Sequence, residues 1–170
     1  MIELLPLLPF ILLLLFAAGS DIATMTIPNW VSIAMAALFP AVALALGMPL
    51  TQIGMHVLCG AAMLIVCYLM FSASIMGGGD AKLIAAAAVW TGFGALGPFV
   101  VWIALTGGVI ALALLVTRKW VKPDPARPAF LNRLLKPRGG VPYAVAIMAG
   151  GLAVLDSLTL GAPALLAPGG

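Results

Sequence analysis

Residues 83–117 read LIAAAAVWTGFGALGPFVVWIALTGGVIALALLVT, an uncharged run between Lys82 and Arg118. As one helix it would be roughly 52 Å long, well beyond a hydrocarbon core of about 30 Å. Gly92, Gly94 and the Gly97-Pro98 pair punctuate its middle, and glycine and proline are the strongest local helix breakers. The run is therefore predicted to hold two spans, near 81–96 and 98–117. How it divides fixes the parity of the chain, and with it the side on which each loop falls.

The rest of the sequence has the same solvent. Of 170 residues, 64% are hydrophobic and only 8% charged, and the mean hydropathy is +1.24. Soluble domains carry about a quarter charged residues, so a soluble domain is excluded. Other uncharged runs cover 4–20, 22–79, 139–155 and 157–170. Residues 4–20 make one span. Two more fit in 22–79, separated by Gly47-Met48-Pro49, and a last span is predicted near 140–157. The first run lacks the basic start and the A-x-A site of a cleaved signal peptide. The expectation is an all-α membrane protein: one membrane-embedded domain over 1–170, a polytopic bundle of about six transmembrane helices.

Seven of the eight basic residues (Arg118, Lys119, Lys122, Arg127, Arg133, Lys136 and Arg138) sit in 118–138, with four prolines and Asp124. The positive-inside rule puts this loop in the cytoplasm. Its simplest role is topogenic; docking of an acidic partner or of anionic lipid head groups is the alternative. Counting back through six spans brings 75–80 and 19–29 to the same face. The N-terminus, 48–52, Glu3 and Asp156 fall on the other. Asp21 closes the first span and Asp80 opens the fourth, so topology alone sets two carboxylates at one membrane face.

Carboxylates at membrane depth are costly and usually functional. Two that lie close cannot both ionise, so one stays protonated beside a carboxylate partner. Such a pair can draw a proton from water and donate one to a scissile carbonyl, with neither a metal nor a cofactor. The plainer reading is two residues marking helix ends, Asp80 as a cap. Gly77-Gly78-Gly79 precedes Asp80 directly and would let an extended strand lie close to the carboxylate; a flexible turn is the simpler alternative. Lys82 reads as a snorkelling anchor, with tuning of Asp80 secondary. Pro28 biases Ile27 out of the helical region and fits the first turn of the next helix, with Trp30 as an interfacial anchor.

These residues resemble the signatures of the type IV prepilin leader peptidases, membrane aspartic proteases of the GxGD type. The chain has Asp21 followed after five residues by Ile27-Pro28-Asn29, then Gly77-Gly78-Gly79-Asp80-Ala81-Lys82-Leu83. Near its end, Val141-Pro142-Tyr143-Ala144-Val145-Ala146-Ile147 is similar to the family's segment opening the last helix. The resemblance implies Asp21 and Asp80 as the catalytic pair, and Ile27, Pro28, Asn29, Gly77, Gly78, Gly79, Lys82, Pro142 and Tyr143 as residues shaping the site. It implies short basic leaders of prepilins or pilin-like precursors as substrates, cut at the cytoplasmic face of the inner membrane. Ala23, Thr24, Met25 and Thr26 stand where many members carry basic residues. The cysteine-bearing insertion of the bifunctional members is absent, so methyltransferase activity is not expected. The compact form looks most like the peptidases of tight-adherence (Flp) pilus systems, with an archaeal preflagellin peptidase the close alternative. Because Asp80 begins a helix, the dipole favours it as the carboxylate base and Asp21 as the acid.

His56 is the sole histidine, and Ser72 and Ser74 lie about 24–27 Å further along a helix, so a serine–histidine pair is excluded. His56 reads as a polar residue near the outer interface. Cys59 and Cys67 read as packing residues, and Gly107-Gly108 and Gly150-Gly151 as places of close helix contact. Two non-peptidase readings compete. A proton-coupled transporter would use the aspartates as relays, but such groups usually lie near the midplane within internal repeats, and neither feature is present. A pilus-assembly scaffold would tolerate Asp→Asn at both positions. Beyond precursors and membrane lipids no partner is expected, and nucleic acid is not among them.

Overall fold

The computed structural model describes residues 2–122, 124, 126–136 and 139–158. Arg138 of the basic loop and the tail from 159 lie outside the described residues, as does the Glu3 side chain. The described residues form helices and connections, with no strand among them. After a 3-10 turn, Ile2–Leu7, come α1 (Leu8–Thr24), α2 (Asn29–Ala45), α3 (Leu50–Ser72), α4 (Gly78–Trp120), α5 (Ala129–Leu134) and α6 (Tyr143–Ala153). A second 3-10 turn, Leu155–Ser157, follows α6.

Local chemistry sets the boundaries. Met25 ends α1 in the left-handed region (φ 57°), its N–H donating to the Asp21 carbonyl at 2.8 Å. Pro28 is extended and caps α2, which starts one residue later than its sequence suggested, at Asn29. Gly47, at φ 75°, makes the turn into Pro49, which caps α3.

The long run is broken once. Gly92 adopts φ 58° and ψ −178°, a conformation essentially reserved for glycine. Pro98 lies inside the second limb without ending it, so the division falls at Gly92 and not at Gly97-Pro98.

Contacts fix the direction of each limb. In the first limb (78–91), Trp90 stacks on Phe10 of α1 with ring centroids 5.2 Å apart, while Asp80 lies near Asp21 at the far end of α1. The first limb therefore runs antiparallel to α1. α6 is also antiparallel to α1, since Gly151 meets Leu14 and Phe10 whereas Ala144 meets Asp21. The second limb (93–120) is antiparallel to α6, through Gly150 against Phe99 and Ile103 and Gly107 against Tyr143. The two limbs thus run in opposite directions, and the chain reverses about Gly92.

An aromatic cluster closes the end remote from the aspartates. Phe39 meets Trp90 edge-on at 5.6 Å and stacks on His56 at 4.8 Å, and the Trp90 Nε1–H donates to the Met35 carbonyl at 2.8 Å. The Val89 carbonyl, just before the break, accepts from His56 Nδ1 at 2.8 Å. His56 thereby secures the reversal, at the end of the molecule opposite the aspartates.

Close packing relies on small residues. A Cβ on Gly60 would collide with Val89, and one on Gly151 would lie 2.6 Å from Leu14 Cδ1. Gly107 and Gly150 behave as expected, but Gly108 has nothing within 4 Å and is not a packing glycine.

Large apolar side chains face outward, among them Leu50, Ile65, Val109 and Leu115, as lipid solvent requires. Leu5–Thr24, Leu50–Ser72 and Gly78–Trp120 are long and apolar enough to cross a membrane. α2, at 17 residues, is at the lower limit. The last expected span, 140–157, is instead an 11-residue helix and a 3-10 turn. At about 16 Å, α6 is half the thickness of a hydrocarbon core.

Candidate active site

Asp21 and Asp80 come from different helices that meet at one end of the bundle. Asp21, four residues before the left-handed Met25, is turned inward and only 6% exposed. Its Oδ2 accepts the Ala144 backbone N–H at 3.0 Å. Pro142 caps α6 and Tyr143 opens it, so this N–H belongs to the first turn, where amides have no partner within their own helix. The sequence Pro142-Tyr143-Ala144 thus supplies a free donor that α6 aims at a carboxylate 123 residues away.

Asp80, the third residue of α4, lies within electrostatic reach of Asp21. The Tyr143 hydroxyl is in turn within reach of Asp80. Tyr143 approaches over Gly107, where a Cβ would stand 2.7 Å from the ring. The second limb therefore contributes a surface that only a residue without a side chain allows.

The three glycines before Asp80 have different neighbours. A Cβ on Gly77 would lie 2.8 Å from Asp80 Oδ2, one on Gly78 3.2 Å from the Phe71 ring, and one on Gly79 3.4 Å from Ile27. Gly78 and Gly79 are thus packed by the chain's own side chains. Gly77 is exposed and is the one beside the carboxylate.

The hydrogen bond of Lys82 goes to Asn29 and not to Asp80. The lysine Nζ donates to Asn29 Oδ1 at 2.9 Å, tying α4 to the start of α2. Positions 80 and 82 are about 200° apart around a helix, so the two side chains leave on opposite faces. Ile27 and Asn29, singled out by sequence, therefore brace α4 from behind the aspartates.

The connection 25–28 is pinned from within. The Ser20 hydroxyl donates to the Thr26 carbonyl at 2.9 Å, and that of Thr24 to the Ser20 carbonyl at 2.8 Å.

Two arginines of the basic loop clasp neighbouring segments. Arg133, on α5, donates to the Ala23 carbonyl at 2.9 Å, two residues past Asp21 at the end of α1. Arg118 donates to the Leu134 and Gly140 carbonyls, each at 2.7 Å. These clasps were not legible in the sequence, where the seven basic residues look alike. The Ala144 donor could have been suspected, since a proline cap leaves the next amides free. Asp156 and His56 lie at the opposite end of the bundle, away from this site.

Comparison with known proteins agrees with the motifs. A search of curated proteins gives no match, and neither does a search of solved structures. The sequence model described as the type IV leader peptidase family matches residues 8–112. The matched region contains both aspartates and Ile27-Pro28-Asn29, and it stops before α6. The match covers well over half of the chain, which therefore belongs to the type IV leader peptidase family.

Proposed function

We propose that the chain is a membrane aspartic endopeptidase that removes the leader of Flp-like type IV prepilins at the cytoplasmic face of the inner membrane, with Asp21 and Asp80 as its catalytic pair. The observation that carries this reading is the meeting of two carboxylates from separate helices, one of them held by the Ala144 amide.

In the proposed reaction the pair shares one proton. The ionised member takes a proton from a water, whose oxygen bonds to the scissile carbonyl carbon. The protonated member gives its proton to the carbonyl oxygen. The tetrahedral adduct then breaks its C–N bond as the leaving nitrogen takes the proton held by the first carboxyl group, while one hydroxyl of the adduct returns its proton to the other carboxylate. A carboxylic acid and an amine leave, and the pair again shares one proton. No covalent intermediate forms and no cofactor enters. Asp80 is the base and Asp21 the acid on the dipole argument. Asp21 also faces a helix N-terminus, that of α6, so the pair is best treated as one titrating unit. Gly77 leaves room for the Asp80 carboxylate itself, whose Oδ2 lies 2.8 Å from where a Cβ would stand, and its exposed backbone offers a substrate strand an approach. Methyl transfer to the new N-terminus is not part of this activity.

The test is cleavage of a co-expressed Flp-type prepilin in membranes, scored as the leader shift on a gel. Wild type, Asp21→Asn and Asp80→Asn are compared after equal insertion is established. Loss of cleavage in both variants is expected. Cleavage retained in both would remove the dyad and favour a non-catalytic scaffold. No cleavage even by wild type would direct the same assay to an archaeal preflagellin. The transporter reading is disfavoured because both carboxylates stand at helix ends, away from the middle of the bundle.

A further inference from the structure

On the side of α4 facing away from Asp80, a groove of about 490 Å³ runs between α2 and α3. This volume lies within the range of about 300–1,000 Å³ typical of small-molecule sites. Lys82 stands at its mouth, Ser32 and Ala36 line one wall, Ala61 the other, and Val89 its inner end. From Lys82 to Val89 is about 10 Å along the helix.

Two polar groups in this apolar groove point to a ligand. Ser32 is only 7% exposed, and its hydroxyl oxygen has no hydrogen-bond partner. Helical serines usually bond back to a carbonyl one turn earlier, and an unpaired hydroxyl in hydrocarbon is costly. Lys82, the one cation lining the groove, meets the neutral oxygen of Asn29. Its charge is not paired with a carboxylate among the described residues.

The order of these groups along the groove identifies the occupant. An ammonium stands at the helix start. The free hydroxyl lies on α2 about 4.5 Å past Asn29, one turn deeper. Beyond it the walls are aliphatic. A phospholipid presents the complementary series, with phosphate at the surface, ester carbonyls next and an alkyl chain last. The geometry points to a binding site for one anionic phospholipid, its phosphate on Lys82, an ester carbonyl accepting from Ser32 Oγ, and an acyl chain along Ala61 and Val89. Basic pockets between membrane helices bind such head groups by the same physics. A substrate helix is the poorer occupant, because the groove opens on the opposite face of α4 from Asp80.

Native mass spectrometry of the full chain, with phosphatidylglycerol or phosphatidylcholine added, tests this without any cleavage readout. Wild type is expected to retain one phosphatidylglycerol in preference to phosphatidylcholine. Lys82→Gln should weaken retention of phosphatidylglycerol about fivefold, the effect of one basic contact at an anionic surface, and that of phosphatidylcholine less, because its choline cation already offsets the phosphate. Ala61→Phe, which fills the groove at an exposed position, should abolish retention. Equal retention of both lipids by wild type, or retention by Ala61→Phe at the wild-type level, would overturn the assignment. A wild-type mass of two chains that Ala61→Phe reduces to one would instead make the groove a contact between copies.

Discussion

Replacing Ala144 by proline tests the link between α6 and Asp21 at a single atom. The substitution removes the amide that reaches Asp21 Oδ2 at 3.0 Å. It takes no bond from the helix ladder, because first-turn amides have no partner there and proline is tolerated at such positions. Asp21 is 6% exposed, so water replaces the lost donor poorly. With one proton shared between Asp21 and Asp80, Asp21 carries part of the negative charge, and a hydrogen bond to a charged group contributes about 1.5–3 kcal/mol. If that energy holds the carboxylate in its working orientation, leader removal should slow by about 10- to 150-fold. The assay is the rate of leader removal in membranes, beside a thermal unfolding curve to show that α6 is intact. Ala144→Gly keeps the amide and serves as the control, expected to lose some stability but less than threefold in rate. A folded Ala144→Pro enzyme within twofold of wild type would refute the reasoning. Equal losses in the two variants would refute it as well, by pointing to the side chain and away from the amide.

Gly92→Ala would force an L-residue into φ 58°, ψ −178° and set its Cβ 2.6 Å from His56 Cε1. It should cost about 2–3 kcal/mol in thermal unfolding, with part recovered when His56→Ala removes the ring. His56→Phe retains a ring against Phe39 but leaves the Val89 carbonyl without its donor, and should cost about 1–3 kcal/mol by the same measurement. Gly107→Val drives a side chain into the Tyr143 ring and should slow leader cleavage by about 10²-fold, as small displacements at a reacting centre do. Gly108→Val, with open space beside it, should leave the rate within twofold.

The run 83–117 shows what the sequence could and could not disclose. Its length demanded a break, and Gly92 was among the marked positions. Four breakers in seven residues are locally equivalent, however. The choice of Gly92 is made by His56 and by Trp90 packed on Phe10 and Phe39, contacts tens of residues away. Asp21 and Asp80 could be brought to one face by counting charges and spans, because parity needs no side-chain detail. Pro142 hinted at free amides at the start of α6, but nothing in the sequence says that one of them meets Asp21, because a backbone amide has no letter of its own. Lys82 illustrates a third case. Its long apolar stem fitted a snorkelling anchor, but its hydrogen bond goes to Asn29, 53 positions earlier. The shortness of α6 was hidden by apolar residues that continue past the helix.

The reversal at Gly92 leaves a first limb of only fourteen residues, about 21 Å of helix. Ala81 and every residue from Leu83 to Thr91 are buried, so this limb meets neighbouring helices and almost no lipid. A span that faces lipid must match a hydrocarbon core of about 30 Å or deform the bilayer around it. A limb sheathed in protein is free of that condition and can be roughly 9 Å shorter without thinning the membrane. Its ends still need partners, since the last carbonyls of a helix have none within it. His56 supplies one to the Val89 carbonyl at 2.8 Å. The depth of Asp80 is thereby fixed by the helices around the limb and not by the thickness of the membrane that holds them.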